Sequence, residues 1–508
     1  MQLQAFSNVN NFVMAENVSE ATVATIKENS LSLPGVEIVE TSTRSYEQGT
    51  VLPHVLGRVG KITAEKWKVT DENGQVTYPL KEKGYNMNDI IGISGLESAY
   101  EDELRGKDGV ETITRNSDGV IVNTALTTVP EPGHTVQLTI DSEFQKAVDQ
   151  ALAKNVEWIK NTYADSKQAN AGAVVVIDVK TGGVLAASNY PSFDQNLYAA
   201  QYNEYSADEN MPLFNRALQG LYTPGSTFKP MMACAALEEG VIGEDTTFRC
   251  SGVFQYFDIT FHCLENRAHG NENVKRALRD SCNIFFYNCA DRLGISKMNE
   301  YASMFGLGEK TGVEISEAAG VLAGPASAEK YNKTWQMGDT IQSGIGQSDN
   351  LFTPLQLSNY CATVANGGKR YELHFVKSII NTATGSIHET GATVAEDLPI
   401  SDNTFRIVRE GMRMVATDGA PRHVFNKIST PVACKTGTSQ VYKNGQKVNN
   451  GFLITFAPYD NPEISIASVI ELAGSGTSTA DITASIIDYY YSNNTDEAPA
   501  QDTGTLLN

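Results

Sequence analysis

The pattern of apolar and polar positions changes near residue 130. Before that point it is polar and broken. "SEATVATIKENS" predicts a short helix with Ser19 as its cap, because a hydroxyl there accepts from the first free N–H groups. "LPHVLGRVGKI" and "VTYPLK" predict strands or sheet edges. Glycines interrupt any long helix in "YNMNDIIGISGLESAYEDELRGKDG". The turn in "NSDGVIV" adds a hairpin signal, so this first region reads as a β-rich module.

"TTVPEPGHT", Thr127 to Thr135, holds two prolines and a glycine and is the candidate linker. After it, "VQLTIDSEFQKAVDQALAKNVEWI" predicts a strand, an Asp141 cap and a helix of about 20 residues. β-Branched runs flank "KTGG" in "AVVVIDVKTGGVLAASNYP", a hairpin signal. The pattern is mostly helical from 205 to about 370. Strands return in "PVACKTGTSQVY", "GFLITFAPYD" and "EISIASVIEL", and "STADITASIIDYYY" predicts a final helix. This order predicts an α+β fold, an antiparallel sheet flanked by helices with an inserted all-helical lobe. The expected divisions are a first domain over 1–130, a second over 131–492, and a disordered tail over 493–508.

Composition narrows the class only slightly. At 41% hydrophobic and 19% charged the 508 residues are ordinary for a globular protein of more than one domain. A formal net charge of -21 argues against nucleic acid as a partner, because phosphate contacts need clustered Lys and Arg. No apolar run of 18 residues is present, and "MQLQAFSNVNNFV" lacks the basic-then-apolar order of a secretory signal. The chain therefore reads as soluble, either by nature or because an anchor has been removed.

The chemistry starts at "LYTPGSTFKP". Ser226 and Lys229 are three residues apart at a predicted helix start, so they share a face and their side chains can meet. A helix N-terminus supplies unpaired N–H groups and the positive end of the dipole, which favour an oxyanion. A lysine acting as base must be neutral, and at its ordinary pKa only about one in a few thousand is neutral at pH 7. Lowering the pKa by roughly 3 units costs about 4 kcal/mol, which burial beside a second cation supplies. Taken alone, S-x-x-K fits a capped helix start with a solvated lysine just as well. Two further stretches change that. "RDSCNIFFYNCA" contains Ser281 and Asn283 two residues apart, opening another helix. "VACKTGTSQVY" contains Lys435, Thr436, Gly437 and Thr438 on a strand. Lys435 is the expected second cation. Gly437 is expected to let a ligand backbone approach the strand, and Thr436 and Thr438 offer hydroxyls to a carboxylate. S-x-x-K, S-x-N and K-T-G in this order form the motif set of serine β-lactamases and penicillin-binding proteins.

With these motifs, the chain resembles a class B penicillin-binding protein, a D,D-transpeptidase of peptidoglycan synthesis, and within that class the elongation-type enzyme. "HVLGRVGKI" and "IIGISGLESAYEDELRG" resemble the N-terminal pedestal, a dimerisation-type domain. "ASNYPSFDQN" and "GQSDNLFTPLQLSNYCATVANGG" resemble the transpeptidase domain. The resemblance implies that Ser226 attacks the penultimate D-Ala of a stem pentapeptide, with Lys229 as base. It also implies that Ser281 relays a proton, that Asn283 holds substrate and Lys229, and that Lys435, Thr436 and Thr438 bind the terminal carboxylate. The backbone N–H groups of Ser226 and Thr438 form the implied oxyanion hole. Stem peptides, β-lactams and a membrane glycosyltransferase of the elongation machinery are the implied partners. The implied place is the cell membrane with the catalytic domain outside the cytoplasm, so this sequence is expected to be an engineered soluble form without its anchor. A division- or sporulation-type transpeptidase, a D,D-carboxypeptidase and a β-lactam sensor are the alternatives.

Seven cysteines are present, four of them between residues 250 and 289. Cys250, Cys263, His269 and Cys282 can make a tetrahedral Cys₃His zinc site, with Asp258 and His262 as reserve ligands. Some elongation-type members carry a zinc ion beside the S-x-N motif, and these positions look like that pattern. A Cys250–Cys263 disulfide, a turn role for His269 and a packing role for Cys282 remain open. The acyl-transfer chemistry itself needs no cofactor.

Overall fold

The structure is a computed structural model and describes residues 14–493 apart from 16–17, 37, 40–43, 88, 118–120 and 444–445. All but the first residue of the predicted tail lies outside the described residues. The chain divides into two compact units between Glu47 and Gln48. In the first unit, Glu20–Glu28 is helical and Ser19 caps it, accepting from Thr22 N at 3.2 Å.

The second unit begins with short elements that differ in part from the sequence reading. Pro53–Leu56 is a helical turn and only Arg58–Lys61 is a strand. Likewise Val76–Thr77 is a strand but Pro79–Glu82 is helical. Each misread segment starts with proline at the first helical position, where its fixed φ favours a helix and its missing N–H costs nothing. The hairpin expected at "NSDGVIV" pairs Val110–Arg115 with Ile121–Thr128. Its described side chains are exposed along both strands. Within the candidate linker, Glu131 pairs with Lys107 through backbone and side chain. Thr135–Leu138 then forms a strand against Val376–Ile380.

Helix α1 (Ser142–Thr162) is 21 residues long and starts at Asp141, whose carboxylate accepts from Phe144 N at 2.8 Å. Strands β1 (Gly172–Asp178) and β2 (Val184–Tyr190) form the predicted hairpin. Helix α2 (Lys229–Glu238) and helix α3 (Asn283–Met304) pack together in the lobe, and α4 (Pro354–Ala365) returns to the sheet. Strands β3 (Ala433–Lys443), β4 (Gln446–Ala457) and β5 (Ile464–Ile470) follow, and α5 (Ala480–Asn493) ends the described chain. The sheet order is β3-β4-β5-β1-β2 with every pair antiparallel.

Both faces of this sheet are covered, which explains strands that read as continuous apolar runs. Val174 and Val176 join Val148, Leu152, Ile466 and Ile486 under α1 and α5. Val175 and Ile177, one position out of phase, join Phe228, Leu355 and Phe452 on the other face. The lobe is less purely helical than predicted. Four short strands lie between Phe248 and Glu272, around the cysteine cluster. Strand β3 is an edge strand, and its free side borders the turn that carries Ser226.

Candidate active site

Ser226 sits on a 3-10 turn, Gly225–Phe228, and the α-helix itself begins at Lys229. The turn is held from several sides. Gly225 has φ 56°, and a Cβ there would lie 2.5 Å from Thr438 O and 3.2 Å from Thr438 N. Tyr360, buried in α4, accepts from Met231 N at 2.8 Å and donates to Thr227 O at 3.2 Å. Ser226 itself is half-buried, and its Oγ makes no hydrogen bond among the described residues.

Lys229 does not bond to Ser226 as the three-residue spacing suggested. It is fully buried, and its Nζ donates to Ser281 O at 2.7 Å, Ser281 Oγ at 3.2 Å and Asn283 Oδ1 at 2.7 Å. Three acceptors match the three N–H bonds of an ammonium. Lys435, also fully buried, donates to Ser281 Oγ at 3.0 Å and Thr436 O at 2.9 Å. The Ser281 hydroxyl therefore lies between two lysines. Ser281 adopts φ 53°, a left-handed conformation costing about 1–2 kcal/mol for a residue with a Cβ. That conformation turns both its carbonyl and its hydroxyl toward Lys229.

Burial disfavours the charged form of both lysines. It pulls the Lys229 pKa down to about 8, while the nearby Cys282 and Cys263 sulfurs oppose the shift. Lys435 is lowered well below the usual lysine range, by burial first and then by the Lys229 charge. Burial is the larger cause at both lysines, and two cations that share the Ser281 hydroxyl also disfavour each other's charge.

Lys435, Thr436, Gly437 and Thr438 all lie on β3, with Thr438 opposite Gly451. Gly437 serves the protein's own packing. A Cβ there would meet Pro224 O at 2.7 Å and Thr227 Cγ2 at 2.8 Å, so the missing side chain admits the Ser226 turn rather than a ligand. Thr438 Oγ1 accepts from Gly476 N at 3.2 Å, and Thr438 O accepts from Gln347 Nε2 at 3.2 Å. Gly225 N donates to Gly346 O at 2.9 Å. Sequence reasoning missed Gly346, Gln347 and Gly476. Gly346 and Gln347 open the stretch "GQSDNLFTPLQ" that resembles the transpeptidase domain, but their contacts lie about ninety and one hundred and twenty positions away, so no local pattern gives them a role.

The four predicted ligands come together from separate segments. Cys250 ends one short strand, Cys263 follows another, His269 precedes a third, and Cys282 caps α3. Their ligand atoms lie within 4.8 Å of one another. Cys250 Sγ is 3.5 Å and Cys263 Sγ 3.4 Å from His269 Nδ1, and the Cys263 and Cys282 sulfurs are 3.9 Å apart. Tetrahedral zinc, with bonds of about 2.3 Å to sulfur and about 2.1 Å to nitrogen, needs edges of about 3.8 Å and about 3.6 Å. The donor set and its spacing fit that ion. All seven cysteines are free thiols, so the Cys250–Cys263 disulfide is not formed. Asp258 and His262 are exposed and outside the cluster. The His262 carbonyl instead accepts from Asn283 Nδ2 at 3.4 Å.

Residues 172–488 match the penicillin binding protein transpeptidase domain, and residues 1–138 match the penicillin-binding protein dimerisation domain. The chain is 32% identical over 518 residues to the peptidoglycan D,D-transpeptidase MrdA of Escherichia coli (strain K12), covering 96% of this chain and 77% of that one. Among solved structures, a chain of a peptidoglycan synthase complex coordinating polymerization and crosslinking superimposes with a TM-score of 0.78 at 29% identity. It covers 95% of this chain and 82% of that one. Pseudomonas aeruginosa PBP2 in complex with WCK 5153 gives a TM-score of 0.71 at 27% identity, over 93% and 94% of the two chains. A domain match over more than half the length, and a relative above 30% identity along nearly all of it, assign this chain to the penicillin-binding protein transpeptidase family.

Proposed function

We propose that the chain is a peptidoglycan D,D-transpeptidase that cross-links stem peptides through an acyl-enzyme on Ser226 and is acylated there by β-lactams. The observation that carries this is the hydroxyl of Ser281 held between two buried lysines, beside a turn that presents Ser226 to the free edge of β3. Ser226 Oγ attacks the penultimate D-Ala carbonyl as its proton passes to neutral Lys229. The N–H groups of Ser226 and Thr438 stabilise the oxyanion. The tetrahedral adduct collapses, the C–N bond breaks, and D-Ala leaves as an amine protonated through Ser281. An amine of a second stem then attacks the ester, forming the cross-link and returning the proton and the free hydroxyl to Ser226. Asn283 holds Lys229 and the substrate, while Lys435 and the hydroxyls of Thr436 and Thr438 receive the carboxylate end.

Lateral wall elongation is the role we propose, with a membrane glycosyltransferase as partner; the similarity to a chain of a peptidoglycan synthase complex that coordinates polymerization and crosslinking supports this. Among the described residues no helix is long and apolar enough to cross a membrane. We assign residues 1–130 to the pedestal and 131–492 to the transpeptidase domain. Cys250, Cys263, His269 and Cys282 would hold a structural zinc ion, which ties the Ser281–Asn283 segment to the strands beside it. Intact-protein mass spectrometry after benzylpenicillin tests the central reading. A stable adduct mapped to Ser226 is expected, and an unmodified protein sinks it. Metal analysis of freshly purified protein tests the second, with one zinc per chain expected.

A further inference from the structure

One turn, residues 344–348, touches both halves of the site. Gly346 O accepts from Gly225 N at 2.9 Å, immediately before the nucleophile, and Gln347 Nε2 donates to Thr438 O at 3.2 Å. The turn is built to hold its shape. Gly346 has φ 71°, and a Cβ there would strike Gly225 O at 2.2 Å and Phe228 Cβ at 2.7 Å. Ser348 is also left-handed, at φ 63°. Asn350, 1% exposed, donates to Gln347 O at 3.2 Å and Ser343 O at 3.5 Å and accepts from Ala323 N at 3.0 Å. Thr438 N and O both lie against Gly225, so both groups face the free edge of β3 and the Ser226 turn. In a pleated strand the N–H and C=O of one residue point to the same side. A tether on the carbonyl of Thr438 therefore also orients its N–H.

We infer that this turn is a clamp that sets the spacing of the oxyanion site, with Gln347 as the positioning residue that acts on it through Thr438. The inference rests on the reading of Ser226 and Thr438 as oxyanion donors. Gly346 fixes the nucleophile's side, Gln347 fixes the strand's side, and the two hooks are consecutive residues of one rigid segment. Oxyanion stabilisation depends on donor distances near 3 Å, and a misplacement of about 1 Å costs on the order of 100-fold in rate. Gln347 is only half-buried, so Gln347→Met keeps its length and packing while removing the donor.

Acylation by benzylpenicillin, resolved by stopped flow into non-covalent affinity and the acylation step, tests this. Gln347→Met is expected to slow the acylation step by roughly 10- to 100-fold while non-covalent affinity and Tm stay at wild-type values. Gln347→Glu sets a carboxylate against the Thr438 carbonyl and is expected to lose at least as much. Affinity for a boronic acid that forms a tetrahedral adduct on Ser226 should fall in parallel with the acylation rate. An acylation step within twofold of wild type in Gln347→Met overturns the clamp, as does a loss confined to non-covalent affinity and Tm. A wild-type protein that benzylpenicillin fails to acylate overturns the reading of Ser226 instead.

Discussion

Two polar clusters meet at one tripeptide, Ser281-Cys282-Asn283, and they are built in opposite ways. On one side, Lys229 and Lys435 are fully buried, and five hydrogen bonds from their Nζ atoms go to oxygens of the protein itself. On the other, three sulfurs and one imidazole nitrogen from four segments face one another within 4.8 Å. Thiols attract one another weakly, so the second cluster depends on the strands around it and, in the proposed reading, on a zinc ion. Partners chosen within the chain stabilise a charge in place and also tune its pKa. Partners chosen for an ion stabilise a loop. Cys282 caps the helix whose first residue is Asn283, so a change in the ligand cluster reaches Lys229 through a single residue.

The comparison can be broken in several places. Ser226→Ala should abolish the penicillin adduct altogether, with Tm unchanged, since its Oγ holds nothing in place. Any adduct elsewhere on that variant moves the nucleophile. Lys229→Met should slow acylation by roughly 10²–10⁴-fold, the usual range for losing a general base. It removes three donors from Ser281 and Asn283, so thermal melting should fall as well, and unchanged melting would contradict the hydrogen-bond account. Zinc removal by chelation, or Cys263→Ser, is expected to cost on the order of 10- to 100-fold in acylation, as loss of second-layer support around a site commonly does. If chelated protein acylates at the wild-type rate, the two clusters are independent.

The smaller effects sharpen the contrast. Burial lowers the Lys229 pKa to about 8, and the base form is the neutral one. The acylation rate should therefore rise by about tenfold per pH unit below that value and level off above it. A rate that falls as pH rises from 6 to 8 would assign the base to another group. Ile113→Ser or Leu126→Ser, exposed residues that belong to neither cluster, should leave acylation untouched and change stability by no more than about 0.5 kcal/mol. Denaturant melts and penicillin acylation on the same samples check this pair.

Much of the architecture was legible from local pattern. The Asp141 cap, the long helix after it, the β1–β2 hairpin and the three later strands follow from periodicity and turn chemistry acting over a few residues. The order of the three motifs singled out Lys229, Ser281, Asn283 and Lys435, which the fold brings into hydrogen-bond contact, because each motif marks a short element whose residue types are dictated by chemistry. The misread segments at Pro53 and Pro79 are equally local. Proline opens a short helix as readily as it marks an edge, and nothing in the neighbouring residues separates the two.

What the sequence determined by itself was the list of chemical groups and the elements that carry them. Which groups meet was decided only in three dimensions. Lys229 turns from Ser226, three residues away, to Ser281 and Asn283, more than fifty away, because its buried ammonium needs three acceptors and that segment offers them. Gly437 accommodates Pro224 rather than a ligand, and Gln347 reaches Thr438 across ninety-one positions, because the edge of β3 packs directly against the nucleophile's turn. Such contacts arise from backbones pressed together by the core, and one chain's periodicity carries no record of its distant partners.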